Sequence, residues 1–165
     1  GWVKTSREEE EGRGNTFFLR REGNVLGLTE VFAGSQKRIR SARCMTECTI
    51  YSIHTQRLQR WMGENAKLYT ELMTKLAQNL MDTRKACENL INKPVTHRLA
   101  WFLTSLSENH KSIKLPISHE EISHLIGCSR QTVTELLNGW ANGGLISYQR
   151  KQITLLQPES FMEKV

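Results

Sequence analysis

Arg130, Gln131, Thr134 and Glu135 have the side-chain types and spacing best suited to chemistry in this chain. With residues 130–138 as a helix, Val133, Leu136 and Leu137 fall on one face and these four on the other. Arginine can grip guanine through two parallel hydrogen bonds, and glutamine can grip adenine. Threonine meets a thymine methyl or a phosphate, and glutamate accepts from cytosine. Such a face is suited to reading base edges in a groove of DNA.

The residues around this face supply the means to position it. Ser118 caps a first helix, and Glu121 three residues on completes a capping box. Ile122, Leu125 and Ile126 are its buried face. Gly127 permits a tight turn through positive φ, and Ser129 caps the second helix, whose positive end favours a phosphate. This pattern predicts a helix-turn-helix, with the second helix entering the major groove. Gly143-Gly144 ends that helix. Residues 145–148 and 152–156 then read as a hairpin wing with Arg150 and Lys151 at its tip, placed to touch phosphate. The candidate DNA-contacting set is Ser118, His119, Ser129, Arg130, Gln131, Thr132, Thr134, Glu135, Arg150 and Lys151.

No run of about 18 apolar residues is present, and the start, Gly1-Trp2-Val3-Lys4-Thr5, has no signal-peptide pattern. With no initiator methionine, the chain is expected to be a fragment or a processed form. Of 165 residues, 38% are hydrophobic and 24% charged, an ordinary globular balance, and the net charge is +6. From 93 to 165 there are eight Lys+Arg against six Asp+Glu, so the basic excess is not concentrated in the expected DNA-binding part.

The five histidines, His54, His97, His110, His119 and His124, are scattered. His119 and His124 lie off a common helical face. No nucleophile elbow or phosphate loop occurs, so neither catalytic residues nor a metal site is expected. Cys44, Cys48, Cys87 and Cys128 contain no C-x2-C pair. In a straight strand Cys44 and Cys48 would stand about 13 Å apart, too far for a disulfide. Free thiols in a reducing cytoplasm are the expectation.

Further upstream, Thr16-Phe17-Phe18-Leu19 and residues 42–53 read as strands, with Glu8-Glu9-Glu10-Glu11 before Gly12 as an exposed hairpin tip. Residues 55–91 contain no proline. Met62, Ala66, Tyr69, Met73, Leu76, Leu80, Thr83, Cys87 and Leu90 recur at alternating steps of four and three, a heptad seam. About 35 residues of helix would run roughly 50 Å, more than one small sheet covers. The expected dimer interface is therefore Tyr69, Met73, Leu76, Leu80, Thr83, Cys87 and Leu90. Lys93-Pro94 closes this helix, and another, over 95–107, buries Leu99, Phe102, Leu103 and Leu106.

With Gly-Cys-Ser-Arg-Gln-Thr-Val at 127–133, the wing at 145–155, the long helix before Pro94 and the strand-like segment 22–27 with Arg38 downstream, nearly the whole chain resembles the bacterial family of the cAMP receptor protein and the fumarate–nitrate regulator. The resemblance implies an α+β fold: a partial effector-binding β-roll (1–54), a dimerisation helix (55–92) and a C-terminal winged helix-turn-helix (93–165). It also implies that the chain is truncated at its N-terminus and enters the roll midway.

The implied effector residues are Gly27, Leu28, Thr29, Arg38, Ile39, Thr83 and Arg84. Cyclic-nucleotide binders of the family have Glu after the cassette glycine and Ser or Ala after the cassette arginine. Here Leu28 and Ile39 stand in those places, so an effector other than cAMP is expected. Arg38 and Arg84 together would face an anion such as a small organic acid. Many members have Arg where this chain has Glu135.

The function this implies is a homodimeric, non-enzymatic, cytoplasmic transcription regulator on pseudo-palindromic double-stranded DNA, with RNA polymerase as a further partner and no membrane association. Two alternatives are a thiol redox switch and an effector sensor whose helix-turn-helix contacts protein.

Overall fold

The computed structural model describes residues 1–7, 15–107, 112–114, 117–149, 152–158 and 161–165. Three antiparallel strands form the N-terminal sheet: β1 (Val3–Arg7), β2 (Asn15–Arg20) and β3 (Ser41–Cys44), in the order β2-β1-β3. Thr5 pairs with Phe18 on one side and Ala42 on the other. The acidic run expected at the hairpin tip, Glu8 to Glu11, lies outside the described residues.

Two strand expectations fail here. The segment expected as a strand over 22–27 is a turn that leads into the short helix α1 (Leu28–Phe32). The strand expected over 42–53 ends at Cys44. Side chains replace the ladder beyond it. Thr46 Oγ1 accepts from the Trp2 N–H at 2.8 Å, and the Cys48 thiol turns back to the carbonyls of Trp2 (3.4 Å) and Thr46 (3.3 Å). Such local bonds compete with strand pairing. The straight strand on which the expected separation of Cys44 and Cys48 rested is therefore absent beyond Cys44.

Asn65 divides the helix expected over 55–92. Its backbone is extended (φ −135°, ψ 94°), and its side-chain oxygen accepts from the Leu68 N–H at 3.0 Å. It therefore caps a new helix and does not continue the old one. The result is α2 (Thr55–Glu64) followed by α3 (Ala66–Asn92). Pro94 then separates α3 from α4 (Val95–Leu106).

The C-terminal part continues with β4 (Ser112–Lys114), α5 (His119–Ile126), α6 (Arg130–Asn142), β5 (Ile146–Gln149), β6 (Gln152–Leu155) and a 3₁₀ turn, Phe161–Glu163. The second sheet has the order β4-β6-β5 and is antiparallel throughout. Strand β4 lies between α4 and α5, outside every strand expected from the sequence. The core of this part is Leu99, Leu103, Val133, Leu137, Leu155 and Phe161, all fully buried. Each such side chain contributes about 1.5–3 kcal/mol relative to its exposed state. Trp140 meets Phe161 edge to face, with ring centroids 5.2 Å apart. This contact brings the chain end back onto the bundle.

The N-terminal sheet rests on this C-terminal head. Strand β2 lies against α5, Leu19 and Met45 pack on the head's core, and Arg21 Nη1 donates to the Leu106 carbonyl at 3.4 Å. Lys4 forms an ion pair with Glu121, the residue that completes the cap of α5. Among the described residues, no helix is long and apolar enough to cross a membrane.

Candidate nucleic-acid interface

The cap of α5 forms as its sequence suggests. Ser118 Oγ accepts from the Glu121 N–H at 3.2 Å, and Glu121 Oε2 accepts from the Ser118 N–H at 2.9 Å. Gly127 then turns the chain at φ +66°, and a Cβ there would sit 3.3 Å from Leu90 Cδ2 at the end of α3. Ser129 Oγ accepts from the Thr132 N–H at 3.0 Å and opens α6. The Thr132 hydroxyl contacts Ser129 Oγ at 2.8 Å, so it belongs to this cap. The helix runs four residues past the expected end at 138, as far as Asn142.

Helix α6 has two unlike faces. Val133 and Leu137 are fully buried and Leu136 partly so, while Arg130, Gln131 and Glu135 are exposed. Gln131 Nε2 donates to Glu135 Oε1 at 2.8 Å, so these two potential base readers form one linked unit. Ser118 and Ser129 are exposed at the starts of their helices. The wing strands β5 and β6 follow as expected, but its basic tip, Arg150 and Lys151, lies outside the described residues.

His119 connects three elements. From the start of α5, its Nδ1 meets Thr134 Oγ1 of α6 at 2.8 Å and its Nε2 meets the Tyr148 hydroxyl of β5 at 2.5 Å. Burial lowers its pKa below the ordinary imidazole value, and the nearby Arg130 charge lowers it further. Both causes favour the neutral ring.

Arg98 has an organising role that the sequence reading missed. Its Nε and Nη2 donate to the carbonyls of Ile126 and Gly127, both at 2.8 Å, and Nη1 donates to the Lys93 carbonyl at 3.0 Å. One guanidinium therefore satisfies carbonyls that the end of α5 leaves open and ties the turn to the α3–α4 hinge. An arginine one turn into the helix after Lys93-Pro94 was the available signal, but the two carbonyls it reaches at the end of α5 are 28 and 29 residues away.

The expected dimer seam is displayed on α3, where Asn89 is the only residue buried among 27. Tyr69 (46%), Leu80 (52%), Cys87 and Leu90 (44%) are exposed, and Met73, Leu76 and Thr83 partly so. Tyr69 also meets Phe32 of α1 edge-on at 6.3 Å.

The residues of the expected effector set differ in exposure and in partners. Gly27 (φ +84°) and Arg38 do come together, and a Cβ on Gly27 would overlap the Arg38 guanidinium. Leu28 is buried at 3% exposure and Ile39 is 67% exposed. Thr29 and Arg84 are exposed, and the Thr83 hydroxyl donates to the Asn79 carbonyl of its own helix at 2.8 Å. A second basic cluster was missed in the sequence: Arg20 and Arg40 lie 4.8 and 4.9 Å from the Phe18 ring centroid. Burial lowers the Arg20 pKa, Asp82 of α3 opposes this, and Arg40 reinforces it.

The Crp-like helix-turn-helix domain matches residues 97–163. The global nitrogen regulator of Nostoc sp. is 30% identical over 166 residues, covering 96% of this chain and 74% of the relative. The cAMP-activated global transcriptional regulator CRP of Salmonella typhimurium is 27% identical over 161 residues, covering 94% and 77%. The solved structure of a CRP/FNR-family transcriptional regulator from Thermus thermophilus superposes with a TM-score of 0.72 at 26% identity, covering 99% of this chain and 82% of that one. These relatives are regulators of transcription and not enzymes. Their similarity runs through sheet, long helix and head alike, and the chain belongs to the Crp/Fnr family of transcription regulators.

Proposed function

We propose that this chain is a sequence-specific regulator that reads double-stranded DNA with α6, acting as a homodimer under the control of an effector other than cAMP. The observation that carries the reading is the division of α6. One face is locked into the core, while Arg130, Gln131 and Glu135 extend from the other with no core role. Both helix caps and the Arg98 clamp hold that face in a fixed orientation.

The dimer reading rests on α3, whose apolar stripe its own chain leaves largely uncovered. Pairing two such helices would present two copies of α6 to successive major grooves of a pseudo-palindrome, about one helical turn apart. The wing would add phosphate contacts, RNA polymerase would be the further partner, and the compartment would be the cytoplasm. For the effector, buried Leu28 and exposed Ile39 offer no polar group to a ribose or cyclic phosphate. Arg38 and Arg84 would favour a small anionic molecule instead. Calorimetry comparing wild type with Arg38→Ala tests that part, and equal affinities for such an anion would end it.

Fluorescence anisotropy on double-stranded DNA across a salt series tests the binding itself. Phosphate contacts require log Kd to rise linearly with log salt, with a slope of about 0.9 for each phosphate neutralised. A flat salt response, or no binding, would favour use of the head for protein contacts. Cys128 gives the redox alternative little support. Burial pushes up the pKa of Cys128 against the opposing charge of Arg98. A protonated thiol is the less reactive form.

A further inference from the structure

Thr134 differs from its neighbours on the outer half of α6 in having its hydroxyl engaged within the protein. Its Oγ1 donates to the Arg130 carbonyl at 3.0 Å, one turn back. With its one proton on the Arg130 carbonyl, Thr134 can accept from His119 Nδ1 across the 2.8 Å contact. This arrangement requires the tautomer with the proton on Nδ1, which leaves Nε2 to accept from the Tyr148 hydroxyl at 2.5 Å. The chain of donors runs in one direction, from Tyr148 to His119 to Thr134 to the Arg130 carbonyl. The Tyr148 ring lies 5.5 Å from the imidazole at a tilt of 36°, which holds the histidine from the wing side.

We propose that His119 is a positioning residue for sequence reading: it draws the Thr134 hydroxyl inward and leaves the threonine methyl as the group offered to the groove, so that this position selects thymine through its C5 methyl. The inference rests on the reading of α6 as the recognition helix. It assigns to His119 a function beyond phosphate contact, and to Tyr148 the role of fixing the ring. Without the imidazole, the Thr134 side chain can turn about χ1 and bring the free lone pairs of its hydroxyl to the groove. Those lone pairs could accept from the amino groups of adenine or cytosine, so the position would become less selective.

The test is in vitro selection from randomised double-stranded DNA with the full chain, with circular dichroism melts to confirm folding. Wild type and Thr134→Val should enrich the same site, because valine keeps the methyl and discards only a hydroxyl that does not face DNA. Thr134→Ser should lose the thymine preference at one step of each half-site. His119→Ala should admit adenine or cytosine at that same step. His119→Asn, whose amide can still donate to Thr134, should restore thymine.

Replacing that thymine by uracil in the enriched site should weaken wild-type binding roughly fourfold, the worth of one buried methyl, and leave Thr134→Ser unaffected. A Thr134→Val site that differs from the wild-type site while Thr134→Ser retains it would overturn the proposal, as would indifference of the wild type to uracil. Should His119→Ala fail to fold, Tyr148→Phe, which removes the hydroxyl that fixes the ring, takes its place and should relax the same step; an unchanged thymine preference there would overturn the histidine's role. A wild-type chain that enriches no site would overturn the reading of α6 itself, and the inference with it.

Discussion

Between residues 95 and 163, Leu99, Leu103, Val133, Leu137, Leu155 and Phe161 are each fully buried; between residues 1 and 54, Leu28 is the one described apolar side chain that is buried, while Ile39, Ile50 and Tyr51 are 67%, 60% and 94% exposed. The head closes its own core. The N-terminal region relies on contacts with other elements: β2 on α5, Phe32 on Tyr69, Lys4 on Glu121. The difference assigns the two regions different tasks. A reading head must keep its geometry, and a self-sufficient core ensures that. A sheet that rests on the head through a few polar bonds and two partly buried side chains can shift at low cost, and regions of low local stability are those that move.

The largest effect that would sharpen this contrast is in the core. Leu137→Ala should cost about 2–5 kcal/mol through loss of burial and the cavity left behind. Ile39→Ala should stay within about 0.5 kcal/mol, as for other exposed positions. Chemical denaturation of both variants measures this, and comparable losses would remove the distinction between the regions.

Next is the clamp between head and hinge. Arg98→Met keeps the stem but strands the Ile126 and Gly127 carbonyls. It should cost about 1.5–3 kcal/mol, the range for hydrogen bonds to charged groups, and should weaken DNA affinity while Cys128 becomes more accessible to thiol reagents. A variant with unchanged stability and affinity would show that the turn holds its place without the clamp.

The smallest effect concerns the contact between the regions. Burial acts to raise the Glu121 pKa, but hydrogen bonds from Lys4 and Ser118 and the Lys4 charge together outweigh it, so the net shift is downward. A depressed folded pKa means that the unfolded chain binds more protons in acid. The stabilisation is therefore present above the unfolded value of about 4.3 and is lost as pH falls through the folded one. Lys4→Met should cost about 1 kcal/mol at pH 7 and should flatten the acid limb of the stability profile. An unaltered acid limb would show that the sheet rests on the head without this pair.

Legibility in the sequence follows the same division. The head was readable because its signals are local: Ser118 with Glu121, Gly127 at positive φ, Ser129 as the second cap, Gly143-Gly144 at the stop. Each acts within four residues. The misreadings came where distant partners decide. Asn65 breaks an otherwise continuous heptad because a side-chain cap competes with helix propagation. Cys48 folds back on Trp2, 46 positions away, and β4 exists because β6 offers it an edge. In the interface, the outer-face residues were visible from helical period alone. The directional chain through His119 and the clamp by Arg98 on the end of α5 were not, since they join positions 15 to 29 residues apart.

The central claim is that the exposed face of α6 reads DNA sequence, and Glu135 is the residue on which it can be tested most directly. In vitro selection from random double-stranded DNA should be run on wild type beside Glu135→Arg, which breaks the Gln131–Glu135 unit and exchanges a cytosine acceptor for a guanine donor. Both proteins should enrich pseudo-palindromic sites, with half-sites that differ at the step facing residue 135. Identical half-sites from the two proteins would contradict the account.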